Sequence, residues 1–64
     1  MTLLYEILYL PTNSGTIRID LSYKRSSYTA HAELGGHLSM GKDRSKRKAI
    51  KKSLMELAKQ VHSD

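Results

Sequence analysis

Two stretches of strict alternation between apolar and polar residues constrain the fold more than any other feature of this sequence. In residues 16–22, the apolar positions Ile17, Ile19 and Leu21 fall on one side. In residues 28–34, the apolar positions are Tyr28, Ala30, Ala32 and Leu34. Side chains alternate across a strand with a period of two, so each stretch is typical of a half-buried β-strand. The sequence therefore predicts a sheet with one apolar face.

A third strand is expected at residues 38–41, returning antiparallel after the glycine pair that ends the second strand. The length of that loop decides which face the third strand's apolar residues occupy, because a slip of one residue inverts the strand. A two-residue loop pairs Leu34 with His37 and leaves Leu38 and Met40 on the solvent face. A three-residue loop pairs Leu34 with Leu38 and puts the apolar residues on one face, so we expect the three-residue loop.

The C-terminal third of the chain is predicted to be an amphipathic helix. Ser45 is a good N-cap at its start, and no glycine or proline interrupts the helix before about His62. Ala49 and Ser53 are small, so the helix can lie close to a sheet. The residues spaced to form one apolar stripe are Ile50, Leu54, Leu57, Ala58 and Val61.

Residues 3–10 are almost continuously apolar and fit two different structures. Such a run is typical of a buried strand or of a short helix, and periodicity does not separate the two. As a helix it would end at Pro11. The run is too short to cross a bilayer and lacks the basic start of a signal peptide. We therefore expect no membrane association, and a location in the cytoplasm of a cell or of a host cell.

Size and composition narrow the range of functions. Sixty-four residues predict one domain, residues 1–64, with a small core and no room for a deep catalytic pocket. There is no cysteine, so neither a disulfide framework nor a thiolate metal site can form. His31 and His37, with no carboxylates nearby, make a poor zinc site. We therefore expect no enzymatic activity, no cofactor and no bound metal.

The net charge of +5 lies in the C-terminal third of the chain. Residues 1–41 are neutral, and seven basic residues crowd between Lys42 and Lys52. This clustering at the start of the helix indicates a polyanionic partner, with nucleic acid first and an anionic membrane second. The alternative is a solvated helix face, which is what most runs of charge are.

The segments 28–36 and 41–49 together resemble the second half of a double-stranded RNA-binding domain. That family has an aromatic residue, a strand, a glycine-rich hairpin, another strand, and G-x-G-x-S-K-K-x-A-K at the start of its last helix. Residues 3–7 are similar to the family's first helix. The resemblance implies an α+β fold in the order α-β-β-β-α, with two helices packed on one face of a three-stranded antiparallel sheet. The matching positions are Gly41, Ser45, Lys46, Arg47 and Ala49, with Tyr28 as the aromatic residue.

The resemblance also implies how RNA would be bound. The start of the last helix offers free N–H groups and a partial positive charge, which suit phosphate. Duplex RNA would be recognised by its A-form shape, with little sequence preference. A free-standing domain of this size could act by covering duplex RNA, which would sequester or protect it. Glu6 would accept a 2′-hydroxyl. The basic residues expected to contact RNA are Lys42, Arg44, Lys46, Arg47 and Lys51 around the helix start, and Lys24 and Arg25 in the loop after the first strand.

The sequence departs from the family's pattern in ways that keep other functions open. Asp43 replaces the second glycine, Ile50 replaces a helix lysine, and the loop at 22–27 lacks the family's G-P-x-H. One alternative is a protein–protein interaction or homodimerisation module with weak nucleic-acid binding. It requires an exposed apolar patch on the outer sheet face or at the third strand's edge. Another alternative is binding to generic duplex or single-stranded nucleic acid, on whose bases tyrosines can stack.

Overall fold

The computed structural model describes residues 4–62, which form four antiparallel strands followed by one helix. The sheet order is β1-β2-β3-β4, so each strand pairs with its neighbours in sequence. The helix lies on one face of the sheet, where it packs against β3 and β4. The elements are β1 (Leu4–Thr12), β2 (Gly15–Lys24), β3 (Ser27–Leu34), β4 (His37–Asp43) and α1 (Lys46–His62).

The expected order α-β-β-β-α is wrong, because the first segment is a strand rather than a helix. β1 pairs with β2 along its whole length, from Leu4 opposite Tyr23 to Thr12 opposite Gly15. Its tyrosines and isoleucine favour strands, and pairing with β2 satisfies backbone groups that a short helix leaves open at its ends. Residue 3 of the predicted helix lies outside the described residues. Within them, the sheet has four strands instead of three, and one helix packs on it instead of two.

The alternation predicted for β2 and β3 is confirmed. Ile19 lies opposite Ala32, and Leu21 lies opposite Ala30, on the sheet face that α1 covers. Small side chains on β3 leave room for the helix, while larger ones on β2 fill the space beside it. The buried apolar core consists of Ile17, Ile19, Leu21, Ala30, Ala32, Ala49 and Leu57.

The expected three-residue loop between β3 and β4 is wrong. Leu34 pairs with His37, which leaves a turn of two glycines with φ angles of 53° and 87°. Two consecutive residues at positive φ form a type I′ turn, whose twist matches that of the strands. Turn geometry therefore outweighs the apolar pattern, and Leu38 and Met40 lie exposed on the outer face, 66% and 56% accessible.

The predicted helix is confirmed, and it approaches β4 very closely. Gly41 on β4 is buried, and a Cβ there would collide with the Ala49 carbonyl oxygen and lie 2.5 Å from the Ser53 nitrogen. The Ser39 hydroxyl donates to the Ser53 carbonyl at 2.6 Å. Small residues on both elements therefore allow the two backbones to meet. No helix in the described part of the chain is long and apolar enough to cross a membrane.

Candidate nucleic-acid interface

Basic side chains from distant parts of the sequence gather at one end of the sheet, here called the basic end. The β2–β3 turn lies there, and so does the end of β4, because Lys24 pairs with Ser27 and Asp43 pairs with Tyr28. The chain then enters α1, so the first turn of the helix is at the same end. The basic end comprises the exposed residues Lys24, Arg25, Lys42, Arg44, Lys46, Arg47 and Lys48.

Three of these cations line one shallow pocket on the outer face, which is the sheet face turned away from α1. The pocket has a volume of about 340 Å³ and is lined by Lys24, Arg25 and Lys42 together with Ser27 and Thr29. None of the three cations forms an ion pair with a described residue. Ammonium, guanidinium and hydroxyl donors are the groups that proteins use to contact phosphate oxygens. The structure thus brings together three residues that the sequence predicted separately as RNA contacts.

The turn that carries Arg25 is conformationally strained. Arg25 has a φ of 52° and Ser26 has a φ of 63°, so the turn is of type I′. Such turns prefer Asn-Gly, and other L-residues in this region cost roughly 1–2 kcal/mol each. Residues held in such conformations cluster at functional sites. The strain therefore makes this turn, at the rim of the pocket, a candidate for a functional position.

Lys46 and Glu6, two predicted RNA contacts, bind each other. The Nζ of Lys46 lies 2.9 Å from Oε1 of Glu6. This hydrogen bond to the Glu6 carboxylate holds the pKa of Lys46 above its ordinary value of 10.5. Glu6 lies on β1 opposite Leu21, on the face toward α1, and not on a helix as expected. The pair neutralises part of the charge that the sequence assigned to the helix start.

Asp43 and Ser45 fix the entry into α1. The Ser45 N–H donates to Oδ1 of Asp43 at 2.9 Å, and Lys52 Nζ donates to Oδ2 at 2.9 Å. These two hydrogen bonds hold the pKa of Asp43 below its ordinary value of 3.8, and the bond from Ser45 has the larger effect. The Ala49 N–H bonds the Ser45 carbonyl at 2.9 Å, which confirms Ser45 as the N-cap. The first turn of α1 contains no acidic residue, so its partial positive charge is not offset there.

The motif that carries the resemblance is explained largely by packing. Gly41 and Ala49 allow close contact between β4 and α1, and Ser45 caps the helix. Arg47 is then the matching residue left with an exposed side chain and no ion pair among the described residues. Arg44 and Lys51 are also exposed, and Lys51 follows Arg47 by one helical turn.

Two exposed tyrosines on the outer face were not predicted as a surface feature. Tyr5 and Tyr9 on β1 are 59% and 67% exposed. Tyr5 lies in one row across the sheet with Ser22, Thr29 and Lys42, so it shares that row with two pocket residues. The run in residues 5–10 is apolar on both sides of a strand, so its sequence alone did not indicate which side chains would be exposed.

The remaining outer face is close to neutral. The Arg18 guanidinium lies 3.2 Å from Asp20 and 3.7 Å from Glu33, so its charge is offset locally. On the other face, toward α1, Tyr23 and Tyr28 contact each other with ring centroids 4.5 Å apart, which occupies them in packing. Among the described residues, no cluster of three or more histidine, aspartate or glutamate side chains is placed to hold a metal ion.

Comparison with known proteins gives no assignment for this interface. No protein-family model, no curated protein and no solved structure matches the chain. The function therefore has to be argued from the charge, geometry and exposure of the basic end.

Proposed function

We propose that the protein binds nucleic acid through its phosphate backbone, with duplex RNA as the preferred form and little dependence on base sequence. The observation that carries the proposal is the pocket formed by Lys24, Arg25 and Lys42 at the basic end. Phosphate contacts position a protein on nucleic acid without reading its sequence. A surface of unpaired cations with few base-reading groups beside it therefore fits backbone recognition.

The positive surface continues beyond the pocket. Arg44 lies directly after β4, two residues beyond Lys42, and Arg47 lies in the first turn of α1. A helix N-terminus adds backbone N–H groups and a partial positive charge, both of which favour phosphate. Several phosphates can therefore be contacted together, and the release of their counterions supplies affinity that does not depend on sequence.

Duplex RNA is the form we expect for two reasons. Its wide, shallow minor groove presents 2′-hydroxyls between rows of phosphates, and proteins recognise it mostly by shape. Residues 15–62 also keep the strand-strand-strand-helix order with a basic helix start, on which the resemblance to double-stranded RNA-binding domains depends. The first helix of that family is replaced here by β1, so the proposed contact is confined to the basic end.

The test is a titration of duplex RNA, duplex DNA and single-stranded RNA of equal length at two salt concentrations. We expect the tightest binding to duplex RNA. The double variant Lys24→Gln/Lys42→Gln should flatten the slope of log affinity against log salt by roughly two units, at about 0.9 for each phosphate that the variant no longer binds. The matched control is Arg18→Gln/Lys59→Gln, which removes the same charge from ion-paired positions outside the basic end.

Two outcomes would contradict the proposal. Equal affinity for duplex RNA and duplex DNA would reject recognition of the A-form and leave only an effect of charge. Equal losses of affinity in the two double variants would show that binding is diffuse attraction to a basic protein, and that the pocket has no special part in it.

A second candidate is single-stranded nucleic acid bound across the outer face. The observation that favours it is the exposure of Tyr5 and Tyr9, with Tyr5 in the same row as Lys42. Stacking of a base on an aromatic side chain contributes about 1–3 kcal/mol. If this candidate is correct, Tyr5→Leu weakens single-strand binding and leaves duplex binding unchanged. The same titration decides between the two forms.

A further inference from the structure

We propose that the free edge of β1 binds a second copy of this chain, so that two sheets join through an antiparallel pair of β1 strands. This inference is independent of the proposed nucleic-acid function. β1 is apolar on both faces, with Leu8 and Leu10 toward α1 and Tyr5, Ile7 and Tyr9 on the outer face. Strands with apolar residues on both faces are typically covered on both. Here the edge and much of both faces are open, and Ile7 and Leu10 are 45% and 41% exposed.

The turns determine which backbone groups of each strand point to a neighbour. In the two-residue type I′ turn, the flanking residues Lys24 and Ser27 form a hydrogen-bonded pair. Hydrogen-bonded and non-hydrogen-bonded pairs alternate along an antiparallel ladder. The even-numbered residues of β2 therefore bond to β3, and the odd-numbered ones, such as Ile19, bond to β1.

The same alternation fixes the free edge of β1. Leu8 lies opposite Ile19, so the even-numbered residues of β1 bond to β2. Tyr5, Ile7 and Tyr9 consequently direct their N–H and C=O groups away from the sheet. Pro11 falls on the same side, where its missing N–H costs no hydrogen bond within the sheet.

The opposite edge of the sheet is partly covered by side chains of the helix, which bond two of its backbone carbonyls. The Gln60 side chain donates to the Leu38 carbonyl at 2.5 Å, and Lys52 Nζ donates to the Lys42 carbonyl at 3.2 Å. Lysines and side-chain contacts of this kind protect an edge strand from pairing. No described side chain bonds in this way to the backbone of Tyr5, Ile7 or Tyr9. The edge of β1, and not that of the strand after the glycine hairpin, is therefore the one left for a partner.

A second copy suits this edge because the strand is complementary to itself. With a two-fold axis at Ile7, Ile7 of one copy faces Ile7 of the other. Tyr5 of each copy then faces Tyr9 of the other. These three pairs supply about six hydrogen bonds, and Pro11 lies beyond them. A two-fold axis at Tyr9 would place Pro11 of each copy opposite Ile7 of the other and lose one donor in each copy. Two-fold dimers are also the commonest oligomers.

The charge distribution also favours a second copy over an anionic partner. Among the described residues, the only charged side chain on β1 is Glu6, and it is paired with Lys46. Nucleic acid would find no cation on the strand itself. The two-fold axis sends the two basic ends to opposite ends of the joined sheet, so their mutual repulsion is small. Both outer faces lie on the same side, which places Tyr5 of each copy beside Tyr9 of the other.

The first test measures mass in solution over a dilution series, without nucleic acid. Wild type should shift from the 7.3 kDa monomer toward twice that mass as concentration rises. Ile7→Lys should raise the dimer dissociation constant at least tenfold, because two lysines would meet at the axis. The matched control is Met40→Lys, since Met40 lies in the same row of the outer face on the covered edge and is similarly exposed. Circular dichroism establishes that both variants fold.

The second test measures the register directly, since the chain has no native cysteine. A hydrogen-bonded antiparallel pair has a Cα separation of about 5.5 Å, within the range of a disulfide. We expect Ile7→Cys to form disulfide-linked dimers at least ten times faster than Tyr9→Cys or Met40→Cys. Equal rates, faster reaction of Tyr9→Cys, or a wild type that stays monomeric at every concentration would overturn the proposal.

Discussion

The ammonium group of Lys46 lies 2.9 Å from the carboxylate of Glu6, a residue forty positions earlier in the chain. This ion pair joins the first turn of α1 to β1. Among the described residues, Lys46 is the one cation of the basic end that is paired with a carboxylate. Under the proposed function, we therefore expect Glu6 to weaken nucleic-acid binding at the helix start, because it occupies Lys46.

Replacing Glu6 by glutamine should strengthen nucleic-acid binding. Lys46 would then be free to contact phosphate, and the slope of log affinity against log salt should become steeper by about 0.9 for a duplex. Folding stability should change little, because exposed ion pairs contribute little. Salt-dependent titration of wild type and Glu6→Gln measures the effect.

Glu56→Gln is the control for this prediction. It frees Lys59, which pairs with Glu56 at 3.3 Å on the later part of α1. The net charge changes by the same amount, but at a site outside the basic end. If Glu56→Gln strengthens binding as much as Glu6→Gln, total charge and not the position of Lys46 governs the affinity.

Replacing Arg25 by glycine should stabilise the fold and weaken binding. Glycine adopts the φ of 52° without strain, so we expect a gain of about 1 kcal/mol in the free energy of unfolding. Removal of the guanidinium should weaken nucleic-acid binding in the same variant. Ser26→Gly is the control, because it relieves strain at a φ of 63° and keeps Arg25. If Arg25→Gly binds nucleic acid as tightly as wild type, Arg25 is not part of the interface.

The sequence was sufficient where one period dominated a segment. Ile17, Ile19 and Leu21 repeat every second residue, and the helix repeats its apolar residues at helical spacing after a capping Ser45. Both patterns reflect local backbone geometry, which is determined by residues close in sequence. β2, β3 and α1 could be predicted for this reason.

The sequence was insufficient where pairing across the sheet decided the structure. The run in residues 3–10 fits a helix or a strand, and pairing with β2 selects the strand. Leu38 and Met40 lie outward because the two-glycine turn fixes the register. The pocket residues were individually predictable, but Lys24 and Lys42 meet only through that same register. The pairing of Lys46 with Glu6 depends equally on β1 being a strand.

Replacing Gly41 by alanine should destabilise the protein strongly. The added Cβ would collide with the Ala49 carbonyl and lie 2.5 Å from the Ser53 nitrogen, which are backbone atoms of α1. Overpacking of this kind costs about 1–3 kcal/mol, or roughly 4–8 °C in melting temperature for each kcal/mol in a domain of this size. Thermal unfolding measures it. Met40→Ala, an exposed neighbour on the same strand, should have little effect, and equal melting temperatures for the two variants would contradict the close packing.

The stability supplied by Asp43 should disappear in acid. Its hydrogen bonds with Ser45 and Lys52 hold the pKa of Asp43 below 3.8, so the folded state binds that proton less readily than the unfolded state. A carboxylate of this kind stabilises the fold above its unfolded pKa, and the contribution is lost as the pH falls through the folded pKa. Wild type should therefore melt at a higher temperature than Asp43→Asn at pH 7, and the difference should shrink as the pH falls below 3.8.

Melting curves of wild type and Asp43→Asn between pH 7 and about pH 2 check this expectation. The control is Glu56→Gln, because Glu56 bonds only Lys59 among the described residues and takes no part in capping α1. Its difference from wild type should vary less over the same range. If the gap between wild type and Asp43→Asn stays constant with pH, the contribution of Asp43 is steric rather than electrostatic, and its carboxylate does not hold the entry into α1.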